Sequence, residues 1–221
     1  MEQHDREELA EVNAARKGFY EFLASMYKLE LTDEQIETLA KQDLPADAEY
    51  VGAGYATVKE YLRHRDAGTR QELAVDYARV FLCAGMYEQL MAPPYESVYT
   101  SEGGLMMQDA YSEVLRLYRA AGFAKDPGFT EPEDHLAVEL AFMVRLCERA
   151  VEALRAGDEP AAEAALAEQR AFVRAHLLNW VPAFVRDMKA SAESGFYAHL
   201  ATFTEAYLAA DAEALAEVVG D

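Results

Sequence analysis

Apolar residues recur at three- and four-residue spacing along nearly the whole chain, and no run alternates apolar with polar side chains as a half-buried strand would. Val12, Ala15, Phe19, Phe22, Leu23 and Met26 form one stripe, and Tyr111, Val114, Leu115 and Tyr118 a second. Leu136, Leu140, Met143, Val144, Cys147, Val151 and Leu154 form a third. Stripes of this period are buried by packing helix on helix, so the expected fold class is all-α. Local punctuation agrees. Thr32 with Gln35 and Thr69 with Glu72 have capping-box spacing, Asp158 precedes Pro160 as a cap precedes an early helical proline, and Gly122 and Gly157 stand where helices should stop. The spacing predicts helices at 6–29, 33–42, 56–67, 70–84, 103–121, 133–156, 160–179, 181–193 and 196–209, with a short last turn after Asp211. A length of 221 residues suits one helical-bundle domain, 1–221, of about nine to ten helices. The alanine- and glutamate-rich stretch Ala161 to Glu168 fits a helix of high intrinsic propensity.

Charge narrows the function classes. Forty acidic against twenty basic residues give a formal net charge of −20. Such a field repels nucleic acid and anionic lipid and attracts cationic partners such as a basic peptide; acidic helix surfaces also keep a protein soluble. No run approaches the roughly 18 continuous apolar residues of a membrane span. The start, Met1 to Glu8, lacks the basic and apolar regions of an export signal, which makes a cytoplasmic location the expectation. Cys83 and Cys147 lie on apolar stripes with no Cys or His at metal spacing, the pattern of reduced, buried thiols. Neither a phosphate-binding loop nor a dinucleotide fingerprint occurs, and no cofactor is expected.

Two long connections interrupt the helices, Gly85 to Thr100 and Gly122 to Glu131. The first carries Met86, Tyr87, Met91, Tyr95 and Tyr99, adaptable thioether and aromatic surface suited to an apolar peptide. The second runs into Glu131-Pro132-Glu133-Asp134-His135-Leu136. With Pro132 in the first turn of a helix, Glu131, Glu133 and Asp134 would sit at the positive end of its dipole, either as ordinary helix-stabilising charges or, held at a helix end, free to meet a partner. His135 and Glu139, four apart, make at most half a metal site, and no nucleophile elbow accompanies them. A small metal-assisted or acid/base hydrolase using Asp134, His135 and Glu139 is the alternative to a binding protein. His176 and Trp180 read as packing at a helix end or as a groove wall.

Three pieces in order resemble one family: Asp76-Tyr77-Ala78-Arg79-Val80-Phe81 with Gly85, then Ala92-Pro93-Pro94-Tyr95-Glu96-Ser97-Val98-Tyr99, then Glu131-Pro132-Glu133-Asp134-His135 with Glu139-Leu140. Phe172, His176 and Trp180 match more loosely. The chain resembles the TorD/DmsD family of cytoplasmic redox-enzyme maturation chaperones. The resemblance implies a non-enzymatic, all-helical chaperone. It would bind the twin-arginine signal peptide and the apo form of a molybdopterin oxidoreductase, supporting cofactor insertion and preventing premature export. Carried onto this sequence, it implies peptide contacts from Tyr77, Phe81, Gly85, Tyr95, Ser97, Tyr99, Glu131, Pro132, Asp134 and His135. It also implies a hinge near 122–135 between two lobes, and either a monomer or a lobe-exchanged dimer. Relatives often carry tryptophan where Tyr95 and Tyr99 stand, which implies a different preferred client here.

Overall fold

The computed structural model describes residues 2–41, 52–82 and 91–219. Ten α-helices occur among them: α1 Gln3–Lys28, α2 Asp33–Lys41, α3 Gly52–Arg63, α4 Thr69–Phe81, α5 Glu96–Thr100, α6 Asp109–Ala120, α7 Leu136–Ala156, α8 Glu159–Phe172, α9 Val181–Ser191 and α10 Gly195–Val219. A single π-helical turn, Val173–Leu177, follows α8. No strand occurs among the described residues; the only sheet-like contact there is one antiparallel bridge between Tyr95 and His135. The all-α expectation holds.

Contacts divide the chain into two units: Met1–Lys28, Tyr95–Asn179 and Asp211–Asp221 in the first, Leu29–Pro94 and Trp180–Ala210 in the second. In the first unit α1 packs on α7 and α7 on α8. Ala10, Ala150, Ala162 and Ala165 are buried where these helices meet, so the alanine-rich stretch provides small side chains for close approach as well as helix propensity. In the second unit an aromatic cluster fills the core. Tyr77 lies 4.9 Å from Phe81 between ring centroids, and Phe81 lies 5.4 Å from Tyr197 and 6.1 Å from Phe184. The segment 122–135 expected as a hinge belongs wholly to the first unit.

Several elements differ from the sequence-based expectation: α3 covers Gly52–Arg63 instead of the expected 56–67, α10 continues to Val219 past the expected end at 209, and α1, α6 and α5 also depart from it. Helix α1 is rotated: Val12 is exposed, while Asn13 and Arg16 face inward. Arg16 donates from Nε and Nη2 to Asp211 at 2.5 and 2.9 Å and from Nη1 to Asn13 and Gln169, and the Tyr20 hydroxyl adds a 2.6 Å bond to Asp211. A satisfied ion pair can turn a polar face inward against the apolar pattern. Helix α6 begins at Asp109, not 103, because Gly103, Gly104 and Met107 adopt positive φ and cannot continue a right-handed helix. Helix α5 lies inside a stretch read as loop. The caps at Thr32 with Gln35, at Asp158, at Gly122 and at Gly157 are as expected. Thr69 instead accepts from the Asp66 N–H, and no side chain caps α4.

Cys147 is buried as expected, and burial pushes its thiol up to about 12. Cys83 lies outside the described residues.

Removing Arg16 leaves a buried Asp211 carboxylate without its charge partner. Arg16→Met should lower the unfolding free energy by about 3–5 kcal/mol in urea titration, and Arg16→Met with Asp211→Leu should recover part of that loss.

Candidate functional site

Two segments remote in sequence meet in the first unit, Tyr95–Thr100 and Glu131–His135. Asp134 joins them twice: its carbonyl accepts the Glu96 N–H at 2.9 Å and its carboxylate accepts the Ser97 N–H at 3.1 Å. These are orphan donors of the first turn of α5, so a residue 37 positions away caps that helix. Ser97 Oγ in turn accepts the Gln108 N–H at 3.0 Å, just before α6. Asp134 Oδ1 is buried with no hydrogen-bond partner among the described residues.

His135 caps α7. Its Nδ1 accepts the Ala137 N–H at 3.0 Å, which places the ring proton on Nε2, and its carbonyl accepts from Val138 and Glu139. The ring is buried edge-on against Tyr95 and Phe129, with centroids 5.1 and 5.0 Å away. Burial, with the nearby Lys125 ammonium, pulls its pKa down to about 3. The start of α7 at Leu136 corrects the expected start at 133: Pro132 is outside the helix, and its carbonyl accepts the His135 N–H in a preceding turn. Glu131, Glu133 and Asp134 are therefore not first-turn charges.

Around this junction the Tyr95 hydroxyl donates to Glu131 at 2.5 Å, Lys125 binds the Glu131 carbonyl and pairs with Glu133, and Tyr118 donates to the Glu133 carbonyl. The buried Glu96 carboxylate receives Asn179 at 2.6 Å and His176 Nδ1 at 3.0 Å. The π-helical turn carries His176 to that position. Glu96 and Asn179 were missed as functional candidates: Glu96 looks like any first-turn acid, and no sequence pattern signals a π-turn.

Of the residues expected to touch a peptide, Tyr95, Ser97, Asp134 and His135 are buried, and Tyr99, Glu131 and Pro132 remain partly exposed. Tyr77 and Phe81 lie in the aromatic core of the second unit. Gly85 lies outside the described residues. The expectation that Asp134 and His135 are free to meet a partner is thus corrected: the main-chain donors they satisfy pull them inward. Asp134, His135 and Glu139 are buried, and His135 has Nδ1 engaged, so hydrolytic chemistry finds no open position there. Among the described residues no group of three His, Cys, Asp or Glu could hold a metal ion.

The family model described as nitrate reductase delta subunit matches residues 44–186. The chaperone protein TorD of Photobacterium profundum is 32% identical, covering 93% of this chain and 96% of its own length. That of Shewanella amazonensis is 31% identical over 93% and 94%, and that of Vibrio parahaemolyticus 30% over 93% and 96%. The chain belongs to the TorD family of redox-enzyme maturation chaperones. In this TorD-family chain the Asp76-to-Phe81 motif also builds structure. Asp76 accepts the N–H groups of Glu193 and Ser194 ahead of α10 at 3.1 and 2.8 Å and pairs with Arg79, which also pairs with Glu193.

Asp134→Ala strands the Ser97 N–H and should cost about 1–3 kcal/mol of stability, measured by chemical unfolding. His135 is held neutral when folded, so as pH falls the unfolded chain takes up the proton first. Its contribution is intact above its ordinary value of 6.5 and is lost as pH drops from there toward about 3. His135→Asn keeps a capping acceptor and should flatten the stability difference between pH 7 and 5 by up to about 2 kcal/mol.

Proposed function

We propose that this chaperone binds, in the cytoplasm, the twin-arginine signal peptide of a molybdopterin-dependent oxidoreductase precursor and holds the apoenzyme until its cofactor is inserted. Binding without bond-making is the function. The observation that carries this reading is the similarity to TorD chaperones across 93% of the chain. The net charge of −20 supports it, because a leader with a basic start is drawn toward an acidic surface.

The residues divide by exposure. Glu131, Pro132 and Tyr99, with the edge of Tyr95, face the peptide, and Glu131 is the carboxylate for an arginine. Ser97, Asp134 and His135 hold that edge in place from behind. Tyr77 and Phe81, buried in the aromatic core of the second unit, support that unit from within. The protein acts as a monomer or as a lobe-exchanged dimer.

Calorimetric titration with a synthetic twin-arginine leader should give saturable binding that weakens as ionic strength rises, since exposed charge contacts are screened. Glu131→Gln should weaken it about two- to five-fold with melting unchanged. Absence of saturable binding by any molybdoenzyme leader from the same genome overturns the reading.

A further inference from the structure

The stretch between α5 and α6 lies at the surface of the first unit. Every residue from Glu102 to Asp109 is exposed, and at its centre Leu105, Met106 and Met107 stand side by side with 58%, 43% and 55% of their surfaces in solvent. Single exposed apolar residues are ordinary; three large ones in succession on one loop mark a contact surface. Nor is the loop irregular. Ser101 Oγ accepts the Leu105 N–H at 3.0 Å and donates to the Leu105 carbonyl at 3.1 Å, Gln108 Nε2 donates to the Met106 carbonyl at 2.8 Å, and the Gln108 N–H is held by Ser97. Gly103 and Gly104 take positive φ, as does Met107 at 56°, the only non-glycine residue to do so among the described residues. A methionine held in that region is displayed by its surroundings, not chosen for its backbone preference.

We propose that Leu105, Met106 and Met107 receive the apolar segment of a client leader whose basic start lies on Glu131 and the acidic side chains flanking the loop. This rests on the function proposed above and adds a subsite to it. Two observations select that occupant. The loop is continuous with the candidate site, since Ser97 anchors its far end while Ser97 itself is fixed by Asp134. Its charge is one-sided: no Lys, Arg or His occurs between Arg79 and Arg116, whereas Glu102, Asp109 and Glu113 are exposed there. An apolar segment joined to arginines matches both features, and unbranched thioether side chains adapt to varied apolar sequences.

The test compares the full chain with the variant Leu105→Ser, Met106→Gln, Met107→Asn, in which asparagine tolerates the left-handed backbone at 107. Calorimetry with a synthetic twin-arginine leader should show about ten-fold weaker binding and an unchanged melting temperature. Peroxide footprinting of the unmodified protein should show the leader protecting Met106 and Met107, with buried Met143 and Met188 as unreactive references. Equal affinity in the variant with no protection overturns the subsite while leaving the proposed function standing. A self-association in sedimentation that the variant abolishes, with leader affinity unchanged, identifies a second copy as the occupant and also overturns it. No leader binding by the unmodified protein removes both.

Discussion

Asp134 satisfies two consecutive main-chain donors through two different acceptors, its main-chain carbonyl for Glu96 and its side-chain carboxylate for Ser97. Buried first-turn N–H groups cost free energy unless they are paired, and a five-residue helix cannot supply that pairing from within. Once α5 is held there, its own side chains are aimed. Glu96 points to His176 and Asn179, Ser97 Oγ takes the Gln108 N–H ahead of α6, and Tyr95 reaches Glu131. Positions spread over some 80 residues of chain are thus ordered by one residue, through its carbonyl and its carboxylate, in a low-dielectric setting where such bonds are strong and their loss is costly.

Features decided within a few residues of chain were legible. The stripe of α7 is buried as its period predicts, and the caps at Thr32, Asp158, Gly122 and Gly157 follow from chemistry local to each turn. Features decided at a distance were not. The face of α1 is set by Asp211 and Gln169, far along the chain from Arg16, so an apolar count along α1 alone picks the wrong side. Helix α5 is invisible locally because its cap arrives from residue 134. The start of α7 was misplaced because Pro132 resembles a first-turn proline, whereas the cap is an imidazole nitrogen, an acceptor seldom used for that purpose.

The site divides the same way. Motif residues could be picked out by type and order, but type does not reveal which way a side chain points. Asp76, Asp134 and His135 are polar residues of the kind expected on a binding surface, and each is buried, accepting main-chain N–H groups. Polar side chains that satisfy backbone donors in the interior carry the same composition signal as a ligand site, and only the partners distinguish them.

That burial bears on the kind of activity the fold supports. A general acid or base must titrate near the working pH and reach its substrate, and an imidazole pulled down to about 3 with one nitrogen engaged does neither. A binding protein has no such requirement: buried polar residues can fix the frame while a small exposed edge makes the contacts. Charge cannot make that edge selective, since a field of −20 attracts any basic peptide. Discrimination among basic partners needs contacts whose shape and polarity differ from one apolar segment to the next, which exposed apolar side chains beside acidic ones can provide. In the subsite proposed for Leu105 to Met107, a fixed backbone with adaptable side chains would meet that requirement at low entropic cost, because the loop is already held by Ser97, Ser101 and Gln108.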